Sequence, residues 1–125
     1  MHATLGALAA LVAIGSAAQA ASASHGSCFF VNQSWTWKAP DSRTMYIKVD
    51  PGRYFRLDMA GQCPLTWPDA QLVTVHRSTS VCDALDWDLK VKEGPQGPAV
   101  PCIVKTMTEL TPAEAAKIPP EFKPR

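Results

Sequence analysis

The sequence predicts an all-β domain: about six antiparallel strands closed as a small barrel or sandwich, with one short C-terminal helix and a disulfide staple. Three observations predict it. Two runs of alternating apolar and polar residues flank a turn signal within Thr44–Met59, four cysteines follow an export-type leader, and proline and glycine punctuate the remaining apolar runs.

Residues 1–20 hold no Lys, Arg, Asp or Glu, and an apolar block from Leu5 to Ile14 leads into Ala17-Ala18-Gln19-Ala20. That is the pattern of a signal peptide cleaved after Ala20, although its n-region is only Met1 and His2, so the amino terminus supplies the charge or the start lies upstream. The block is too short to span a membrane, which takes about 20 apolar residues. Cys28 stands too far past it for a lipoprotein signal, and no second apolar stretch is long enough to span. Residues 21–27 are small and polar and read as a flexible leader. A single β domain is expected over 28–118 and a flexible tail over 119–125.

Cys28-Phe29-Phe30-Val31 reads as a buried first strand ending at Asn32-Gln33-Ser34. Trp35 and Trp37 share a face if Thr36 between them is extended, which suits either a core lid or a stacking surface. Lys38 to Ser42 turns the chain into the central hairpin. There Met45, Ile47 and Val49 alternate with polar residues, as do Phe55, Leu57 and Met59 in the second arm. Parity selects the loop: a two-residue turn would put the apolar sets on opposite faces. A three-residue loop at Asp50-Pro51-Gly52, or a bulge beside a shorter one, keeps them together. The three-residue form sets Ile47 opposite Phe55 and Met45 opposite Leu57. It also sets Tyr46 against Arg56 and Lys48 against Tyr54, pairs suited to cation–π contact.

Ala60 to Pro64 breaks the alternation, and the loop that follows carries Trp67. Gln71–Arg77 is β-rich, with apolar residues on both faces. Leu85–Lys92 shows the cleanest alternation, Leu85, Trp87, Leu89 and Val91 inward and Asp86, Asp88, Lys90 and Lys92 outward. Glu93–Pro101, with three prolines and two glycines, is expected as an exposed loop before a last strand over Cys102–Met107. Thr111, Pro112 and Glu114 then spell a helix start with a capping box, and Pro119-Pro120 stops that helix within about two turns.

Cys28, Cys63, Cys82 and Cys102 are even in number and suit an oxidising compartment, so two disulfides are expected. Three connectivities are open. The pairs Cys63 with Cys82 and Cys28 with Cys102 are favoured because the second would tie the first strand to the last. A structural zinc site would bring its cysteines in close pairs, whereas the nearest two here have eighteen residues between them.

Twelve basic and eleven acidic residues give a net charge of +1 with no dense run of either sign, so there is no electrostatic footprint for nucleic acid or anionic lipid. No cofactor or metal is expected, and a monomer is. His76 is the one histidine placed to serve a folded site, and Asp83, Asp86 and Asp88 lie close in sequence without the glycine turn of a calcium loop. No catalytic residue is assigned, since none of the familiar nucleophile, zinc or phosphate-binding motifs occurs. The candidate binding surface is Trp35, Trp37, Trp67 and His76.

Several segments together carry a family resemblance. They are Cys28-Phe29-Phe30, the entry to the hairpin from Ala39-Pro40-Asp41 to Thr44-Met45-Tyr46, Tyr54-Phe55-Arg56-Leu57, Gln62-Cys63-Pro64, Cys82 before Leu85-Asp86-Trp87-Asp88, Cys102-Ile103-Val104 and Leu110-Thr111-Pro112-Ala113-Glu114. In these the chain resembles a family of small exported bacterial proteins designated domain of unknown function 6491. The resemblance covers essentially all of the chain after the leader and implies an exported, single-domain, cysteine-framed protein with no particular activity. The expected function is a non-enzymatic periplasmic or secreted module of the cell envelope whose partner is an envelope protein or a glycan. An inhibitor of a cell-wall-degrading enzyme is the alternative, and a small hydrolase using His76 the third reading.

Overall fold

The structure is a computed structural model and describes residues 28–74 and 79–125. The expected signal peptide, the leader and His76 lie outside the described residues. The described chain is mostly strand, in the order β1 (Phe29–Phe30), β2 (Trp35–Lys38), β3 (Thr44–Val49), β4 (Arg53–Met59), β5 (Ala70–Thr74), β6 (Ser80–Val81), β7 (Leu89–Glu93), β8 (Val100–Cys102) and β9 (Val104–Leu110), followed by the helix α1 (Pro112–Ala116). They form three sheets, ordered β1-β6, β2-β3-β4-β9 and β5-β7-β8, and every pairing is antiparallel. One apolar core takes side chains from all three, so the architecture is sandwich-like and not a closed barrel.

The hairpin has the expected register. Ile47 faces Phe55, Met45 faces Leu57, and Val49 faces Arg53 across the three-residue loop. Period two then buries one face completely: Met45, Ile47, Val49, Phe55 and Leu57 are inaccessible to solvent. β2 adds Trp35 beside Val49 and Trp37 beside Ile47, and β9 adds Met107 beside Leu57. Above them Phe29, Phe55, Trp87 and Trp35 form an aromatic cluster with centroids 5.4–6.1 Å apart. The buried Trp87 indole N–H is directed at Met107 Sδ, 3.3 Å away.

Arg53 closes the end of this face. Its guanidinium lies over the Phe55 ring at 5.0 Å, pairs with Glu109 at 2.7 Å and donates to the Cys28 carbonyl at 2.7 Å. The hydrogen bond to Glu109 raises its pKa further above the ordinary arginine value. The outer-face cation–π pairs expected from the sequence give way to other partners. Arg56 turns to Asp58 at 3.0 Å, and the cation over the Tyr54 ring is Lys123.

Three segments depart from the sequence pattern. Leu85–Lys92 is not one strand, because Asp83 and Asp86 form a reciprocal capping box around a 3-10 turn at Ala84–Asp86. Asp86 Oδ2 accepts from the Cys82 and Asp83 backbone N–H groups at 2.7 and 3.1 Å, so local side-chain bonding outcompetes the ladder. Leu85, expected inward, is therefore 92% exposed, while Trp87, Leu89 and Val91 point in as the alternation predicts. Second, the expected exposed loop Glu93–Pro101 is a loop over 94–99, and its ends join strands, Glu93 closing β7 and Val100 and Pro101 opening β8. β8 pairs with β7, and Pro101 is tolerated on it because β8 is an edge strand. Cys102 belongs to β8, and the last strand runs from Val104 to Leu110.

Third, residues 119–125, expected as a loose tail, lie across the outer face of the hairpin sheet. Pro124 is fully buried, Thr36 Oγ1 donates to the Arg125 carbonyl at 2.9 Å and Lys123 sits over Tyr54. The preceding helix is capped as read: Thr111 Oγ1 accepts from the Glu114 N–H, and Glu114 accepts from the Thr111 N–H, which holds its carboxyl below the usual range.

The disulfides are Cys28–Cys82 and Cys63–Cys102, which corrects the expected Cys63–Cys82 and Cys28–Cys102. The pairing follows strand neighbours. The first strand lies beside β6, which runs directly into Cys82, and not beside the last; Cys63 follows β4, whose neighbour β9 begins just after Cys102.

Two predictions follow from this architecture. A non-reduced peptide map joins Cys28 to Cys82 and Cys63 to Cys102. Replacing either pair by serine lowers the urea-unfolding free energy by about 4 kcal/mol, from the 54- and 39-residue separations; the alternative linkages in the map contradict the topology. At the β7–β8 turn a Cβ on Gly97 would overlap the Glu93 carbonyl oxygen, whereas one on Gly52 would meet nothing. Gly97→Ala should cost about 1–3 kcal/mol and Gly52→Ala much less; equal midpoints in urea would contradict this turn.

Candidate functional site

The candidate surface residues do not gather in one place. Trp35 and Trp37 are half-buried on β2, packed on the core beside Val49 and Ile47, and Trp35 meets the buried Trp87 edge-on at 6.0 Å. They serve as a lid over the core. Asp83 and Asp86 are committed to the backbone of their turn. Among the described residues no three His, Cys, Asp or Glu side chains gather as metal ligands, and no helix is long and apolar enough to cross a membrane.

Trp67 is different. It is 37% exposed, a high value for a side chain with so much apolar surface to hide. The loop that carries it is held at both ends. Cys63 is buried and bridged to Cys102, Leu65 is buried in the core, and Trp67 and Ala70 close successive turns through the Trp67 N–H to Pro64 and the Ala70 N–H to Trp67. With Cys63 and Leu65 drawn inward, Thr66 and Trp67 are left on the outside.

Ser42 joins them from the entry to β3, because the Cys63 N–H donates to the Ser42 carbonyl at 2.8 Å. On the other side the Ala60 N–H donates to the Ile103 carbonyl at 2.9 Å. The result is an open cleft of about 330 Å³ over the Cys63–Cys102 bridge. Trp67, Pro64 and Val100 form its apolar wall, and Ser42, Gln62 and Thr66 supply its polar groups. Among the described residues no ionisable side chain lines it. Among the described residues the side chains of Ser42, Gln62 and Thr66 and the Trp67 indole N–H have no hydrogen-bond partner in the protein. A rigid apolar wall with a few unpaired polar groups is the makeup of a small-ligand site.

Trp67 is legible in the sequence as a surface candidate. Its neighbours are not: Ser42 meets the Cys63 loop at the open end of the hairpin, where Thr44 faces Asp58 and the Cys63 N–H bonds to the Ser42 carbonyl, and Val100 arrives with the strand that the Cys63–Cys102 bridge fastens. No family model, curated protein or solved structure matches this chain.

Proposed function

We propose that the protein is a non-enzymatic module exported to the cell envelope, where it binds an envelope partner through the cleft beside Trp67. The observation that carries this reading is the cleft itself: an exposed tryptophan and three unpaired polar side chains, braced by a disulfide on a β scaffold. Two disulfides fit an oxidising compartment. The sequence resemblance to the exported family designated domain of unknown function 6491 supports the same setting.

A specific observation favours a second reading, an inhibitor of a cell-wall-degrading enzyme. Leu85 stands almost fully exposed on a turn fixed by two aspartate caps, three residues after the half-buried Cys82 that is bridged to Cys28. A rigid apolar knob of this kind suits insertion into a partner's pocket. One experiment separates the two. Oxidised protein is incubated with washed envelopes and sedimented, and muramidase activity is followed in parallel. The binding module predicts co-sedimentation that Trp67→Ala abolishes and Leu85→Asp leaves intact; failure to sediment contradicts it. The inhibitor predicts loss of muramidase activity at micromolar protein, reversed by Leu85→Asp, and unchanged activity removes that reading.

A further inference from the structure

We infer that the ligand of the Trp67 cleft is a neutral saccharide, bound by stacking one sugar ring on the indole. This rests on the binding-module reading and specifies its ligand. Charge is the first constraint. An ion entering a cleft to which the described residues bring no ionisable side chain would lose hydration and meet no countercharge, so charged ligands are disfavoured. A wholly apolar ligand is disfavoured for the opposite reason, since it would strip water from Ser42, Gln62 and Thr66 and give their side chains no partner.

The ligand that satisfies both constraints is neutral, carries groups that both donate and accept, and has one apolar face. A pyranose ring meets each condition. Its axial C–H groups form an apolar face that suits the π-surface of Trp67, and its rim carries hydroxyls. The Ser42 and Thr66 hydroxyls and the Gln62 amide each donate and accept, as sugar hydroxyls do. Pro64 and Val100 add apolar contact beside the indole. The cleft is open to solvent, so an internal residue of a longer glycan can enter without a chain end.

Preorganisation adds to the case. The Cys63–Cys102 bridge and the Cys63 N–H bond to Ser42 hold the opposing walls before any ligand arrives. Little ordering is then charged against binding, which matters for a ligand held by one ring.

The test uses oxidised, full-length exported protein with the Trp67 indole N–H followed by NMR. Maltohexaose, cellohexaose and a hexamer of β-1,4-linked N-acetylglucosamine are titrated in turn, with a proline-rich decapeptide as the competing ligand class. At least one saccharide should shift the Trp67 indole saturably. Trp67→Ala, which lacks that reporter and is read by isothermal titration calorimetry beside the parent, should weaken that binding by about tenfold or more, the scale of one aromatic stacking contact. Gln62→Ala and Thr66→Ala should weaken it less, and all three variants should keep both disulfides and the parent melting temperature. Raising the salt to 0.5 M should leave a neutral ligand's affinity unchanged.

Saturation by the decapeptide with no response to any saccharide overturns the inference. So does saccharide binding that Trp67→Ala leaves intact. If no saccharide binds but washed envelopes still retain the protein through Trp67, the saccharide is wrong and the binding module stands. If envelopes do not retain it either, both fall.

Discussion

The inner face of the β3–β4 hairpin is the constraint on which the other elements depend. Five side chains on it are inaccessible to solvent, and a two-stranded ribbon cannot hide them alone. β2 and β9 extend the sheet on either side, while Phe29, Leu89 and Val91 arrive from the other two sheets and Trp87 from the turn before β7 to cover it. A one-residue slip between β3 and β4 would turn one arm's apolar set to water and remove the reason for every later contact. Arg53 marks the end of this face, where stacking on Phe55 and pairing with Glu109 let a cation border the core.

The two bridges act at different places on this frame. Cys28–Cys82 fastens the short β1–β6 ribbon, which has only two residues per strand to hold it. Cys63–Cys102 fastens the loop after β4 to the strand before β9, and the cleft beside Trp67 is a by-product of that fastening. The chain thus places its unpaired polar groups where the scaffold is braced. Rigidity under a small recognition surface is what a weakly interacting ligand requires.

Much of the fold is legible in the sequence where one local rule acts alone. The hairpin register follows from parity and a turn tripeptide, and the start of α1 from Thr111, Pro112 and Glu114. Legibility fails where two rules compete. Leu85–Lys92 alternates perfectly, yet the Asp83–Asp86 capping box takes its first residues into a 3-10 turn and turns Leu85 outward. Disulfide pairing depends on which strands are neighbours, and no spacing of cysteines encodes that. The polar tail reads as free because its anchors are non-local: Pro124 is buried on the outer face of a sheet, Thr36 donates to the Arg125 carbonyl and Lys123 sits over Tyr54. At the candidate site, exposed tryptophan is readable as a residue type, but Trp35 and Trp37 prove to be core lids, whereas Trp67 stands beside a cleft.

The hairpin frame and the Cys63–Cys102 bridge hold the cleft as one unit with the sheet, which hydrogen exchange of the oxidised protein measures. The Cys63 amide bonds to the Ser42 carbonyl within the cleft's wall, and the Ala60 amide, three residues earlier, bonds to the Ile103 carbonyl beside Cys102. The account predicts that they are protected to within about tenfold of the Ile47 and Leu57 amides in the hairpin, as members of one cooperative unit. Exchange of Ala60 and Cys63 near the rate of an unstructured peptide, with the hairpin still protected, would show a cleft that opens independently and would contradict it.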